Sequence, residues 1–283
     1  MIKRLLLLIA MLVATTQAQD YRLEPVADDL YRFESGGYRS MVWVTDEGIA
    51  VLDPLSTEAA TWLKRELSRR FPQKVRYLVY SHNHFDHSYG GEVFEHPEVT
   101  LVSHERARRA LVNTNARTPL PEIVFSDRLT IHMGGQVLEL RYHGDNNGEG
   151  SVSFLFPGQK LLYVVDWVVV GRLPYKDFQG YDIDGSIRST EEVLELDWDI
   201  FVGGHADVGD RQGVERYLRY MTELRQAVLE GMQDGRSWAD LQQEIKMESY
   251  ADLKMYDEWL AGNIKGMYEQ LRDKHYLLNR PQN

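Results

Sequence analysis

The sequence predicts an α/β fold, a sandwich of two β-sheets between helical layers with further helices at the C-terminal end. Two observations point to it. Short β-branched and aromatic runs punctuated by turn residues occur in two halves, each with its own helical segment, and past Gly213 the pattern changes to long helical periodicity. No Gly/Ser-rich linker, low-complexity run or fixed-period repeat divides the chain.

Taken in order, residues 1–18 begin with Lys3 and Arg4, continue through an apolar run from Leu5 to Val13, and end in Thr16-Gln17-Ala18. This predicts a signal peptide cleaved after Ala18 and a periplasmic or secreted product. The run is shorter than the roughly 20 residues that span a bilayer, so no membrane span is expected in the mature form. Removing 18 of the 283 residues leaves 265. That length suits one catalytic domain, residues 19–212, with a helical extension over 213–283 packed on it. Loss of Lys3 and Arg4 takes the formal charge from −11 to −13, which disfavours nucleic acid as a partner and leaves a small-molecule substrate. The oligomeric state is not legible. The chain has no cysteine, so any metal must be held by nitrogen and oxygen.

YRFES, SMVWVT and IAVLD, from Tyr31 to Asp53, read as strands, with Asp46-Glu47-Gly48 turning between the last two. Trp62, Leu63 and Leu67 mark a helix over Thr57–Arg70, whose basic end suits a helix C-terminus. VRYLVY (75–80) is then a buried strand. In the second half VTLVS (99–103) precedes a helix from about Glu105, LTIHM and QVLELRYH (129–143) form strands, and SVSFLF and KLLYVVD form a hairpin turning at Pro157-Gly158. A helix over Ser189–Leu196 leads into DIFVGGH. Three helical stretches follow, and Ser237 with Asp240 makes a capping box for the second.

The loop leaving VRYLVY reads SHNHFDHSYGG and holds His82, His84, Asp86 and His87. It lies at the C-terminal end of a strand, where α/β proteins commonly place their sites. In an extended segment His82 and His84 point the same way and can grip one ion. Asp86 and His87 diverge and, as the chain turns into a helix, can face a second ion about 3.5–4 Å from the first. His96, His104, His132 and His275 lack ligand-type neighbours and read as structural or solvated.

The HxHxDH pattern followed by Gly90-Gly91 resembles the defining motif of the metallo-β-lactamase superfamily of zinc hydrolases, and the likeness extends over about residues 28–210. IAVLDP with Asp53, LLYVVDW with Asp166 and FVGGH with His205 match that family in order and context. The resemblance implies an αββα sandwich of the metallo-β-lactamase type. His82 and His84 would hold a first Zn2+, Asp86, His87 and His205 a second, and Asp166 would bridge them. The family's third histidine on the first zinc lies ten residues before a proline that closes a strand. Here that position falls on Asn147; His143, four residues earlier, would reach the metal only if GDNNGEG looped out. With Asn147 there, one zinc is expected to be held tightly and the second weakly.

The expected activity is exported zinc-dependent hydrolysis by a metal-bound hydroxide, on a small cyclic or ester/amide-type substrate, because zinc lowers the pKa of its water to about 7. No Gly-x-Ser-x-Gly elbow or thiol competes as nucleophile. Asp86 is the expected catalytic residue, orienting water and moving its proton, and Asp53 is a candidate for fixing a histidine ring. Trp167, Tyr175, Phe178 and Tyr181 are expected to wall the pocket. Within the family the chain looks most like exported members of uncertain substrate, including those associated with quinoprotein systems. β-Lactam hydrolysis ranks next, followed by lactone or thioester hydrolysis. Single-iron sulfur dioxygenases keep the same pattern, so iron is an alternative metal, whereas di-iron oxygen reductases place a glutamate where His84 stands. A decayed scaffold with a periplasmic binding role is the non-enzyme alternative.

Overall fold

The computed structural model describes residues 20–274, so the expected signal peptide and His275 lie outside the described residues. Seven strands form the first sheet in sequence order: β1 (Tyr21–Ala27), β2 (Leu30–Ser35), β3 (Tyr38–Thr45), β4 (Gly48–Leu52), β5 (Val75–Val79), β6 (Thr100–His104) and β7 (Ile123–Phe125). Strands β1 to β4 run antiparallel, and β4 to β7 are parallel. The second sheet comprises β8 (Arg128–Met133), β9 (Gln136–Tyr142), β10 (Val152–Phe156), β11 (Leu161–Val164) and β12 (Ile200–Gly203), in the order β12-β11-β10-β9-β8. Only β11 and β12 in it are parallel.

Period-two alternation explains why the sheets stack. Met41, Trp43, Ala50 and Leu52 face Val152, Phe154, Leu161 and Tyr163 in a core between the sheets. Val42, Val44, Ile49 and Val51 point the other way, onto α1 (Thr57–Arg70), which buries Ala59, Ala60, Leu63 and Leu67. The outer face of the second sheet, with Leu155, Leu162 and Val164, is covered by α4 (Ile183–Leu194), α5 (Arg211–Gln233) and α7 (Tyr256–Lys274). The short α2 (Phe85–Ser88), α3 (Glu105–Asn113) and α6 (Trp238–Glu244) complete the helices. The order of layers is therefore helix, sheet, sheet, helix, as expected.

Capping fixes the helix starts. Ser56 accepts from Ala59 N ahead of α1, and α6 has the full capping box of Ser237 and Asp240. Helix α4 starts at Ile183 rather than Ser189, because Asp182 caps it by accepting from Gly185 N. Two edge strands, β1 and β7, were not expected. Among the described residues no helix is long and apolar enough to cross a membrane.

Candidate metal centre

Two parallel strand pairs, one in each sheet, deliver the site at their C-terminal ends: β4 gives Asp53, β5 gives His82, β11 gives Asp166 and β12 gives His205. Backbone bonds tie the sheets together at this edge, from Val152 N to Ser81 O (3.1 Å) and from Arg39 N to Gly204 O (2.8 Å). After His82 the chain turns at His84, the N-cap of α2, so Asp86 and His87 lie on a helical turn. The turn sits tightly on the loop before α1. Gly90 has φ +92°, and a Cβ there would lie 2.4 Å from the Ser56 carbonyl, which accounts for glycine at that motif position.

The side chains converge on one carboxylate. Asp166 Oδ2 lies 3.0 Å from His82 Nε2 and 3.1 Å from His84 Nδ1. Its Oδ1 lies 2.8 Å from His205 Nε2 and 3.4 Å from His87 Nε2. Asp86 Oδ2 is 3.7 Å from His205 Nε2. The residues thus form two groups, His82–His84–Asp166 and Asp86–His87–His205, each with its ligand atoms within 4.8 Å of one another. The structure brings together the six residues singled out from the loop and the resemblance.

The outer nitrogen of His82 is committed, with Nδ1 2.8 Å from Ser81 Oγ, whereas His87 Nδ1 lies 3.4 Å from Asp53 Oδ2 without the alignment of a hydrogen bond. Asp53 is fully buried, takes a hydrogen bond from Ser81 N (2.7 Å) and another from the Tyr163 hydroxyl (3.3 Å). Both Asp53 and Asp166 have φ of +67°. Such strain costs on the order of 1–3 kcal/mol per residue and persists where the surroundings enforce it, as at functional sites.

The site fits a cation better than it fits itself. His82 Nε2, Asp166 Oδ1 and Asn147 Oδ1 are buried atoms without a hydrogen-bond partner. The first two lie at 3.0 and 2.8 Å from a neighbouring ligand-type atom, yet lack the alignment of a hydrogen bond. Cations held in the two groups would engage these lone pairs. Charge balance points the same way. Burial opposes protonation of His87, but Asp166 and Asp53 on either side outweigh it and raise its pKa to about 10. Burial pushes His82 down, with the His84 ring beside it acting in the same direction. Burial would raise Asp166, but His205, His82 and His87 outweigh it and hold the carboxyl well below its usual range. The carboxylate keeps its charge here.

Asn147 and His143 separate cleanly. Asn147 is 4% exposed, and its Oδ1 and His84 Nε2 lie 3.5 and 3.6 Å from the point where Gly180 would carry a Cβ, so the amide stands beside the first group. His143 is held elsewhere. Its Nδ1 is 2.8 Å from Glu192 Oε2 and its Nε2 is 2.7 Å from Ser153 Oγ. These bonds are satisfied by a neutral ring donating from Nδ1 and accepting at Nε2. The loop does not bulge to bring His143 to the metal groups. Of the other histidines, His104 stacks on Tyr142 at 3.9 Å and bonds Ser126 O, while His96 and His132 are exposed.

A cavity of about 870 Å³ opens onto the groups, bordered by His84, Asp86, Asn147, Asp166 and His205. Tyr175 and Tyr181 line it as expected; Trp167 and Phe178 do not, being fully buried in the core beneath α5 and α7. Sequence reasoning missed Tyr38, Phe85, Arg172 and Trp259, which also line it. Trp259 comes from α7, so the C-terminal helices build part of the wall. They also hold the opposite loop. Asn263 Nδ2 donates to Pro174 O (3.1 Å) and Lys176 O (2.6 Å), and Gln270 Nε2 to Phe178 O (2.7 Å). The loop approaches so closely that a Cβ on Gly266 would lie 1.9 Å from Asp177 O.

A two-sheet α/β sandwich with paired histidine–aspartate groups sharing one carboxylate defines a class of metal-binding enzyme folds. Residues 35–205 match the model of the Metallo-beta-lactamase superfamily, and the chain belongs to it. It is similar to 2,4-dinitroanisole O-demethylase subunit alpha of Nocardioides sp. (strain JS1661), 25% identical over 237 residues, covering 82% of this chain and 69% of the relative. Subunit beta of the same enzyme is 26% identical over 220 residues, covering 74% and 66%. Among solved structures, a metallo-beta-lactamase from Pontibacter korlensis superposes with a TM-score of 0.65 at 19% identity, over 72% of this chain and 99% of that one, which supports the fold.

Proposed function

We propose that the protein is an exported, zinc-dependent hydrolase of small aromatic or cyclic compounds, cleaving an ester, amide, lactone or aryl-ether type of bond. The observation that carries this reading is Asp166, whose two oxygens each face a separate pair of imidazoles at 2.8–3.4 Å on the floor of a pocket. Bound divalent cations would supply Lewis acidity and bring the pKa of a coordinated water to about 7. His82, His84 and Asn147 would hold one, Asp86, His87 and His205 the other, with Asp166 shared. Zinc suits a nitrogen and oxygen ligand set of this kind.

The chain's own residues do the rest. Asp86 borders the pocket and would take the proton of the attacking water. Asp53 stands 3.4 Å from the far nitrogen of His87, where its carboxylate would orient the ring. Tyr38 packs edge-on against His205 at 5.4 Å, and burial together with the carboxylates of Asp86 and Asp166 raises its pKa. It remains a neutral phenol able to donate to negative charge developing on the substrate. Tyr175, Tyr181 and Trp259 offer flat apolar walls for a ring. The name of the demethylase relatives supports placing aryl ethers beside esters and lactones in the substrate panel.

The test is hydrolysis of aryl esters, lactones, thioesters, β-lactams and aryl methyl ethers by the metal-loaded protein. Turnover of at least one class, abolished by chelator and restored by zinc, supports the reading. No turnover of any class by protein of full metal content counts against it.

A further inference from the structure

Arg172 is exceptional among the arginines of the C-terminal half. Arg216 pairs with Asp252, Arg225 with Asp184, and Arg211 donates to two carbonyls. Among the described residues Arg172 has no ion pair, and its Nε is a buried donor without a partner. Yet this side chain borders the catalytic pocket, together with Asp166 and His205, and also a smaller cavity of about 340 Å³ behind it. A partly buried guanidinium without a counter-ion is costly, and such a group is retained where a ligand completes it.

Its placement is rigid. Leu173 N donates to Lys254 O (3.0 Å) and Lys254 N to Gly171 O (3.1 Å), so the backbone on both sides of Arg172 is pinned to the segment entering α7. The guanidinium lies 5.1 Å from the centre of the Trp259 ring, a cation–π contact that orients the fork. Trp259 in turn packs edge-on against Tyr175 at 5.3 Å. A donor fork and flat aromatic surfaces thus share one wall. A guanidinium fork matches planar groups with two acceptor oxygens, and little freedom remains to be lost on binding.

We propose that Arg172, backed by Trp259, is the specificity-determining residue of the pocket, receiving a planar two-oxygen group, a carboxylate or a nitro group, carried by an aromatic substrate. The proposal rests on the hydrolase reading for the identity of the pocket and deepens it by naming what the substrate carries. The C-terminal helices then act as a specificity element, since α7 provides the ring that holds the fork.

The test uses the metal-loaded full chain, its Arg172→Met and Arg172→Lys variants, and three matched probes: benzyl alcohol, 4-carboxybenzyl alcohol and 4-nitrobenzyl alcohol. Calorimetric titration should show the carboxy or the nitro probe binding wild type roughly 10- to 100-fold more tightly than benzyl alcohol, the range of a charge-assisted hydrogen-bonded contact. Whichever probe shows the preference identifies the group. Arg172→Met should erase it, and Arg172→Lys should keep a fraction, since an ammonium lacks the fork. No preference in wild type, or a preference unchanged in Arg172→Met of equal metal content and melting temperature, overturns the proposal. The hydrolase reading is scored separately by the kcat/KM ratio of 4-carboxyphenyl acetate to phenyl acetate. Arg172-dependent binding without turnover of any class in the substrate panel sinks that reading and keeps this one; hydrolysis with a ratio indifferent to Arg172→Met does the reverse.

Discussion

Replacing Asn147 by histidine should convert an unequal pair of metal sites into a more equal one. The second group has Asp86, His87 and His205 with a share of Asp166, whereas the first has His82, His84, the other share of Asp166 and a neutral amide. The amide Oδ1 is buried and unpartnered beside His84, and the backbone is fixed there by Asn147 N donating to Asn146 Oδ1 (2.5 Å) and Gly148 N to Gly180 O (3.1 Å). An imidazole Nδ1 stands as many bonds from Cα as an amide Oδ1, so Asn147→His puts a better donor at the same place. Losing a group that merely orients a ligand costs about 10–100-fold in metal affinity. Gaining a ligand should tighten the first site by at least that factor, about 1.4–2.8 kcal/mol. Zinc titration of metal-free protein against a chromophoric chelator reads both sites. Wild type should show one tight and one weak class, and the variant a tightened weak class with the tight class unmoved. Two equally tight sites in wild type, or an Asn147→His titration superimposable on wild type, would refute the reasoning.

His87→Ala and His205→Ala each strip a ligand from the better-equipped group and should lose the tight metal and most turnover; full zinc content and full rate in both would contradict this. Asp166→Asn, which weakens the shared carboxylate, should lower the affinity of both sites in the same titration, not of one alone. His143→Ala should leave metal content unchanged but destabilise the fold by about 2–3 kcal/mol in a denaturant melt, because Ser153 loses its acceptor in a buried place. Burial lowers the pKa of His143 despite Glu192, so the stability it contributes is present above the ordinary histidine value and lost as pH falls below it. The variant's stability should therefore decline less than wild type's between about pH 6.5 and pH 5. If residues 1–18 are a signal peptide as the sequence predicts, mass spectrometry of the protein recovered from its host should find an N-terminus immediately after Ala18, and an intact Met1 would contradict it.

The parts of the fold that declared themselves are those with strong local chemistry. Helix α1 was readable to its last residue because Leu63 and Leu67 keep helical spacing between turn residues and a basic end. Strand β1 was not, since Pro25 and mostly partly exposed side chains blur its alternation, and β7 has only three residues. The start of α4 hid behind Gly185, which lowers helix propensity where the Asp182 cap outweighs it. The candidate metal loop was legible because its ligand-type residues lie within six positions, and Asp166 and His205 were legible as candidates through family resemblance. The pocket wall was not. Trp167 and Phe178 follow the ligand in sequence but turn into the core, while Trp259, ninety-three positions beyond Asp166, arrives by packing alone. His143 has the chemistry of a ligand and lost that role to Glu192 and Ser153, partners that only the tertiary structure brings within 3 Å.

Metal content of the purified protein, analysed for all transition elements, tests the central claim most directly. One firmly held zinc after dialysis, rising to two on incubation with excess zinc and falling in His205→Ala, is the expected result. Protein that carries no transition metal and binds none from solution would contradict the assignment of Asp166 and its four surrounding histidines as a metal centre.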